Sequence, residues 1–212
     1  MWKEDERYLK LIVGFGNPGE RYNNNRQNIG FKVIDILANN ANIDVRIKKK
    51  KSVIGKGVIN NSEVVLLKPQ TFVNLIGESV LYIASFLRIN VKDIICILED
   101  SALEVGELRV DYMMSGLKHP GIESIIRGLK SDRFAKVRVG IGAPSNPKKF
   151  EEYLTQDFTD DENLILIDVL NKAEEVVKML ITSNIEEVQN KYNPEGAPKI
   201  EKRMVRKVRI RR

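Results

Sequence analysis

The chain has one cysteine, one histidine and one tryptophan in 212 residues, and no apolar run near the ~18 residues of a membrane span. A single cysteine excludes a disulfide framework and a cysteine-based zinc cage. Cys96 stands inside Ile94-Ile95-Cys96-Ile97-Leu98, where a small core residue is expected rather than a nucleophile. Neither metal nor cofactor is expected. Residues 1–8 carry Glu and Asp and lack an apolar core, so they do not read as a signal peptide. The expectation is a soluble, monomeric, cytoplasmic protein without a membrane partner, or a protein of an organelle stroma or matrix if this is a mature organellar chain.

What is present is globular. Apolar residues make up 42% of the chain, and the length suits one α/β domain with a substantial core. The net charge of +6 is unevenly placed. Residues 194–212 hold eight bases (Lys199, Lys202, Arg203, Arg206, Lys207, Arg209, Arg211 and Arg212) against Glu195 and Glu201, which leaves 27 bases and 27 acids for residues 1–193. The division expected is a domain at 9–193 and a basic arm at 194–212. Such an arm attracts RNA phosphates by releasing counterions. Val205, Val208 and Ile210 interleave with the bases, which favours an arm that orders on a partner over a plain solvated tail.

Along the chain, Leu11-Ile12-Val13-Gly14-Phe15 reads as a buried strand stopped by Gly16-Asn17-Pro18-Gly19. A polar loop, Glu20 to Asn28, precedes a helix carrying Phe31, Ile34 and Ile36-Leu37-Ala38. Val45 to Lys56, with Lys48-Lys49-Lys50-Lys51, reads as a basic loop; its lysines suit a phosphate backbone or a solvated run equally. Gly57-Val58-Ile59 and Val64–Leu67 read as a strand pair joined at Asn60-Asn61-Ser62. Helices are expected at Gly77–Leu87, Ile122–Leu129 and Asn163–Thr182, and strands at Ile94–Leu98, Gly106–Val110 and Val137–Ile141. This alternation predicts a single α/β domain, a mixed twisted sheet with helices on both faces.

The string GFGNPG satisfies G-x-G-x-x-G, but a dinucleotide site needs a helix opening at the third glycine. Here a polar loop intervenes and Pro18 removes an amide, so the glycines alone mark a strand-to-turn corner. A longer pattern is more specific. Gly14 to Gly30, as G-x-G-N-P-G-x-x-Y-x-x-x-R-x-N-x-G, resembles the opening signature of bacterial-type peptidyl-tRNA hydrolase. Lys68-Pro69-Gln70-Thr71-Phe72-Val73-Asn74, Ser115-Gly116-Leu117-Lys118-His119-Pro120-Gly121 and Phe134 to Gly142 are similar to three further blocks of that family, in its order.

The resemblance implies hydrolysis of the ester joining a peptide to the 3′ ribose of tRNA, and it implies roles for particular residues. Asn17, Tyr22 and Asn74 match substrate-contacting positions, and the segment Glu151–Asp161 matches a flap near the acceptor stem. The catalytic His of T-R-H-N falls on Gln27, a carboxamide without useful basicity. The orienting Asp falls on Glu99, or on Asp100 if the alignment slips by one. The Asn of G-H-N-G falls on Pro120. Of two basic residues that clamp the tRNA 5′-phosphate, one falls on Asp111 and the other is kept as Arg138. His119 matches a loop histidine that is not the base. A divergent member lacking the catalytic histidine is thus expected: a pseudoenzyme that binds tRNA or ribosomal RNA in translation. Two alternatives stand beside it: an active hydrolase in which Gln27 and Glu99 position water or Glu99 acts as base, and an interaction scaffold without RNA.

Overall fold

Runs of four or five apolar residues with no polar alternation call for strands covered on both faces. In the computed structural model, which describes residues 9–113 and 118–193, they form them. Seven strands, β1 (Lys10–Gly14), β2 (Ile47–Lys48), β3 (Ser52–Ile59), β4 (Ser62–Pro69), β5 (Ile94–Asp100), β6 (Leu108–Asp111) and β7 (Ala135–Gly140), make one sheet of order β2-β3-β4-β1-β5-β7-β6. The centre, β4-β1-β5-β7, is parallel, and both edges are antiparallel. Six helices accompany it: α1 (Ile29–Asn40), α2 (Gly77–Phe86), α3 (Pro120–Leu129), α4 (Phe150–Leu154), α5 (Asp160–Thr182) and α6 (Ile185–Tyr192).

The two-residue period of a strand divides the core in two. Ile12, Leu66, Ile95, Ile97, Val137 and Val139 pack on the side of α1 and α5. Leu11, Val13, Val65, Leu67, Cys96 and Leu98 pack on the side of α2 and α3. Among the described residues no helix is long and apolar enough to cross a membrane.

Three expectations need correction. The basic loop at 45–56 is instead an edge hairpin, with β2 paired to an eight-residue β3 that begins at Ser52. The polar loop at 20–28 contains two single turns of 3-10 helix, Glu20–Tyr22 and Arg26–Asn28. Helix α6 was not anticipated; it is short, its first turn is acidic, and its one fully covered apolar residue is Val188. The Asn60-Asn61 turn is as read, with φ of 49° and 60°, the left-handed pair a two-residue hairpin favours.

Two glycines of the opening signature bring α1 against the sheet. A Cβ on Gly30 would lie 2.2 Å from Phe15 N and 2.4 Å from Ile97 O, and one on Gly14 would lie 2.4 Å from Gly30 O. All of these are backbone atoms, so no side-chain rotation relieves the clash. In an exposed helix Gly→Ala stabilises by about 1 kcal/mol. Gly30→Ala is expected to do the reverse and destabilise by about 3 kcal/mol, read as a lower urea midpoint. A midpoint at or above that of the unaltered chain would show that α1 does not rest on this contact.

Candidate functional site

Beyond β1 the chain continues beside β5: Phe15 N–H donates to the Ile97 carbonyl at 2.9 Å, and Phe31 N–H donates to the Phe15 carbonyl at 3.1 Å. Between them the segment 16–28 loops out and returns. It is closed by a reciprocal pair in which Asn17 N–H donates to Asn28 Oδ1 at 2.8 Å and Asn28 Nδ2 donates to the Asn17 carbonyl at 3.0 Å. This closure buries the Asn17 side chain, whose Nδ2 donates to Gln27 Oε1 at 2.6 Å while Oδ1 is left without a partner. A primary amide with one free buried oxygen is an under-used polar group at the mouth of the loop.

At the end of the neighbouring strand, Glu99 Oε1 lies 3.1 Å from His119 Nε2. His119 caps α3, and its Nδ1 accepts from Gly121 N–H at 3.1 Å. An imidazole nitrogen that accepts carries no proton, so the ring proton is on Nε2 and is donated to Glu99. The only basic lone pair of His119 is therefore engaged. Phe15 packs against the same ring with centroids 5.4 Å apart. Glu99 is buried, and its second oxygen, Oε2, has no partner. Asp100 takes no part here, because its carboxylate meets Arg138.

A second anchorage holds the polar loop from the far side. The guanidinium of Arg26, which is 4% exposed, donates to Glu162 Oε1 at 3.0 Å and Oε2 at 2.7 Å and to the Ile141 carbonyl at 3.2 Å. It lies between the rings of Tyr153 (4.2 Å) and Phe158 (4.6 Å), and Arg26 N–H donates to the Gln156 carbonyl at 3.1 Å. Burial raises the Glu162 carboxyl, but the hydrogen bonds from Arg26 and Thr159 outweigh it and hold the group below its ordinary range. Residues 153–158 are thus fastened to the residue next to Gln27.

The other expected site residues are more scattered. Tyr22 is half-buried under the Arg21 guanidinium, 4.6 Å from its ring. Asn74 is exposed in a 3-10 turn, Val73–Leu75, beside exposed Phe72 and Leu75. Pro120 opens α3 at its first helical position, where a missing N–H costs nothing. Arg138 is a correction. It is buried and donates to Asp100 and, at 2.6 Å, to Asp111, the very residue that reverses charge at the other clamp position. The guanidinium that was to meet a phosphate is neutralised within the protein. Lys199, Lys202, Arg203, Arg206, Lys207, Arg209, Arg211 and Arg212 lie outside the described residues, as do residues 115–117 of the third block.

Sequence reasoning missed Arg26, Asn28 and the His119–Glu99 contact. Asn28 belongs to the quoted signature, so its position was marked even though its bonds to Asn17 were not. Arg26 is the Arg of the same signature, so its position was marked too, but not its partners. Among the described residues no three His, Cys, Asp or Glu side chains gather as metal ligands.

Loop-borne polar groups at the carboxyl ends of parallel strands are the layout of an α/β enzyme. Solved structures of peptidyl-tRNA hydrolase from Acinetobacter baumannii share this fold, one with a TM-score of 0.82 at 26% identity over 88% of this chain and 95% of that one. Among curated relatives, the peptidyl-tRNA hydrolase of Clostridium botulinum (strain Alaska E43 / Type E3) is 42% identical over 183 residues, 86% of this chain and 95% of its own. That of Clostridium beijerinckii is 40% identical over the same length. The peptidyl-tRNA hydrolase family model matches residues 11–203, and the chain belongs to that family.

At the opposite, amino end of β7, the fully buried Lys136 donates to the carbonyls of Tyr112 (2.9 Å), Asp132 (2.9 Å) and Phe134 (3.0 Å). Burial lowers its pKa to about 8, against the pull of Cys96, Asp132 and Asp111, while burial pushes the Cys96 thiol up to about 12. Between about pH 8 and Lys136's ordinary value of 10.5 the unfolded chain holds a proton that the folded chain lacks, so stability rises with pH. Above the thiol's ordinary value of 9.0 Cys96 acts in the opposite sense, because the folded chain keeps its proton. Urea unfolding is expected to show stability rising from pH 8 to 9 and then levelling, with the rise extending toward pH 10.5 in Cys96→Ala. A flat profile in both proteins would contradict the shift at Lys136.

Proposed function

We propose that this chain is a translation protein that binds the tRNA moiety of peptidyl-tRNA, or ribosomal RNA, and that it hydrolyses the peptidyl ester slowly or not at all. The observation that carries this reading is the 2.6 Å bond from Asn17 Nδ2 to Gln27 Oε1. The position where relatives of this sequence pattern bear a histidine holds a carboxamide, and its oxygen already accepts from the neighbouring amide. Water placed there can be oriented but not deprotonated, and loss of a general base typically removes ~10²–10⁴ of rate. His119 does not substitute, since its lone pair serves Gly121. Binding is a separate matter. Asn17, Tyr22 and Asn74 keep the types that the resemblance assigns to substrate contact, and the arm at 194–212 supplies positive charge. With Arg138 paired to Asp111, affinity should depend little on the tRNA 5′-phosphate.

One observation favours a second reading, an active hydrolase. Glu99 Oε2 is buried without a partner, which leaves a carboxylate oxygen able to accept from a water. The deciding experiment is single-turnover hydrolysis of N-acetyl-aminoacyl-tRNA by the unaltered chain, Gln27→His and Glu99→Gln. Little or no cleavage by the unaltered chain, with at least a hundredfold gain in Gln27→His, is the expected result. Rapid cleavage that is abolished in Glu99→Gln would overturn the proposal in favour of a carboxylate base.

A further inference from the structure

Two hairpins of this protein turn through a pair of left-handed residues, and they use different chemistry. The β3–β4 turn uses Asn60-Asn61, residues that adopt positive φ readily. The β2–β3 turn uses Lys50 (φ 39°) and Lys51 (φ 51°), where no local side-chain bond to the backbone compensates a lysine. The turn is nonetheless well made: Lys49 N–H donates to Ser52 O at 2.8 Å and Ser52 N–H returns to Lys49 O at 3.0 Å. Strain held by an otherwise regular turn implies that the two side chains serve something other than the fold.

Their surroundings indicate what that is. The Lys51 carbonyl accepts from Gln70 N–H at 2.7 Å and from the Ser79 hydroxyl at 3.1 Å, so the tip is fixed to the segment that carries Asn74. Register pairs Ser52 with Pro69 at the carboxyl end of β4, the same rim of the sheet as the end of β1. On α2, Glu78, Tyr82 and Phe86 form one stripe at four-residue spacing. Lys50 and Lys51 both reach Glu78, at 3.3 and 3.1 Å, which holds them side by side with side chains 43% and 59% exposed. Tyr82 and Phe86 stack at 6.0 Å, and Lys49 Nζ lies 4.3 Å over Phe86. Of the four consecutive lysines Lys48 to Lys51, two thus share the Glu78 carboxylate and a third lies over Phe86.

We propose that the β2–β3 tip and the outer stripe of α2 form an RNA-backbone contact, taking up phosphates of an RNA whose end lies at the Asn17–Asn74 rim. The proposal rests on the RNA-binding reading above and assigns it a second surface, separate from the arm. Phosphodiester is the ligand chemistry that fits: ammonium groups in a row, spaced by a shared acid and carried on a rigid turn.

The test is binding of a deacylated tRNA transcript to the full chain across 50–250 mM KCl, compared with Lys50→Asn/Lys51→Gly. That variant installs residues the turn prefers, so its unfolding midpoint should equal or exceed that of the unaltered chain. Its tRNA affinity is expected to fall about tenfold at 100 mM salt, and the slope of log K against log salt to shrink by about 1 to 2. Glu78→Gln, which frees both lysines, should tighten binding about threefold by the same electrostatics. If the unaltered chain binds tRNA and the double variant matches it in affinity and slope, this surface is refuted and the RNA reading stands. If the unaltered chain binds no tRNA, both fall. Loss of binding to anionic phospholipid vesicles, with tRNA binding intact, would refute RNA as the partner of the tip.

Discussion

The contact between α1 and the end of the sheet sets the position of everything polar in this protein. Gly30 touches the backbones of both Phe15 and Ile97, so a helix, β1 and β5 meet within van der Waals distance at one point. The loop between Phe15 and Phe31 has no choice but to project from the carboxyl ends of the two strands. Its closure by Asn17 and Asn28 then fixes which side chains face inward. Of the glycines that mimic a nucleotide fingerprint, Gly14 meets the Gly30 backbone and Gly16 the Phe31 ring, while Gly19 serves the turn with a φ of 113°. They do not cradle phosphate, and Pro18 could not have donated to one.

Electrostatics at β5–β7 follows a different logic. Asp100, Asp111 and Arg138 are all nearly inaccessible, and Arg109 reaches Asp111 from the side at 3.4 Å. Two acids and two bases cancel within the sheet. Burying such a group costs desolvation that the ion pairs roughly offset, so the arrangement contributes little net stability. Its consequence is that the Arg138 guanidinium is engaged by two carboxylates of the protein itself. Positive charge available to a polyanion is instead found at the β2–β3 tip, where side chains stay in solvent and no desolvation opposes binding.

Most of the fold was legible because its strands are short, wholly apolar and separated by turn residues. The helix at 160–182 was legible because its period is sustained over many turns. What escaped lay where local signals are weak. A lysine run with no apolar alternation gave no reason to expect strand β2, whose two residues are exposed and held by pairing alone. The identities of Asn17, Gln27 and Glu99 were readable from motif spacing. Arg26 stands in the same signature, but its role was not readable, because its partners, Tyr153, Phe158 and Glu162, are more than a hundred residues away. The choice between Glu99 and Asp100 could not be made from an alignment. In the structure the two point differently: the first meets His119 and the second meets Arg138.

The pairing of Glu99 with His119 also bears on why Gln27 is tolerated. A buried carboxylate needs a donor, and position 27 holds a carboxamide. With a carboxamide there, Asn17 takes up Gln27 Oε1, and the His119 ring supplies Glu99 with an Nε2–H instead. That donor is fixed in direction because Gly121 N–H at the start of α3 dictates which nitrogen carries the proton. The exchange leaves one oxygen on Asn17 and one on Glu99 without protein partners, both buried.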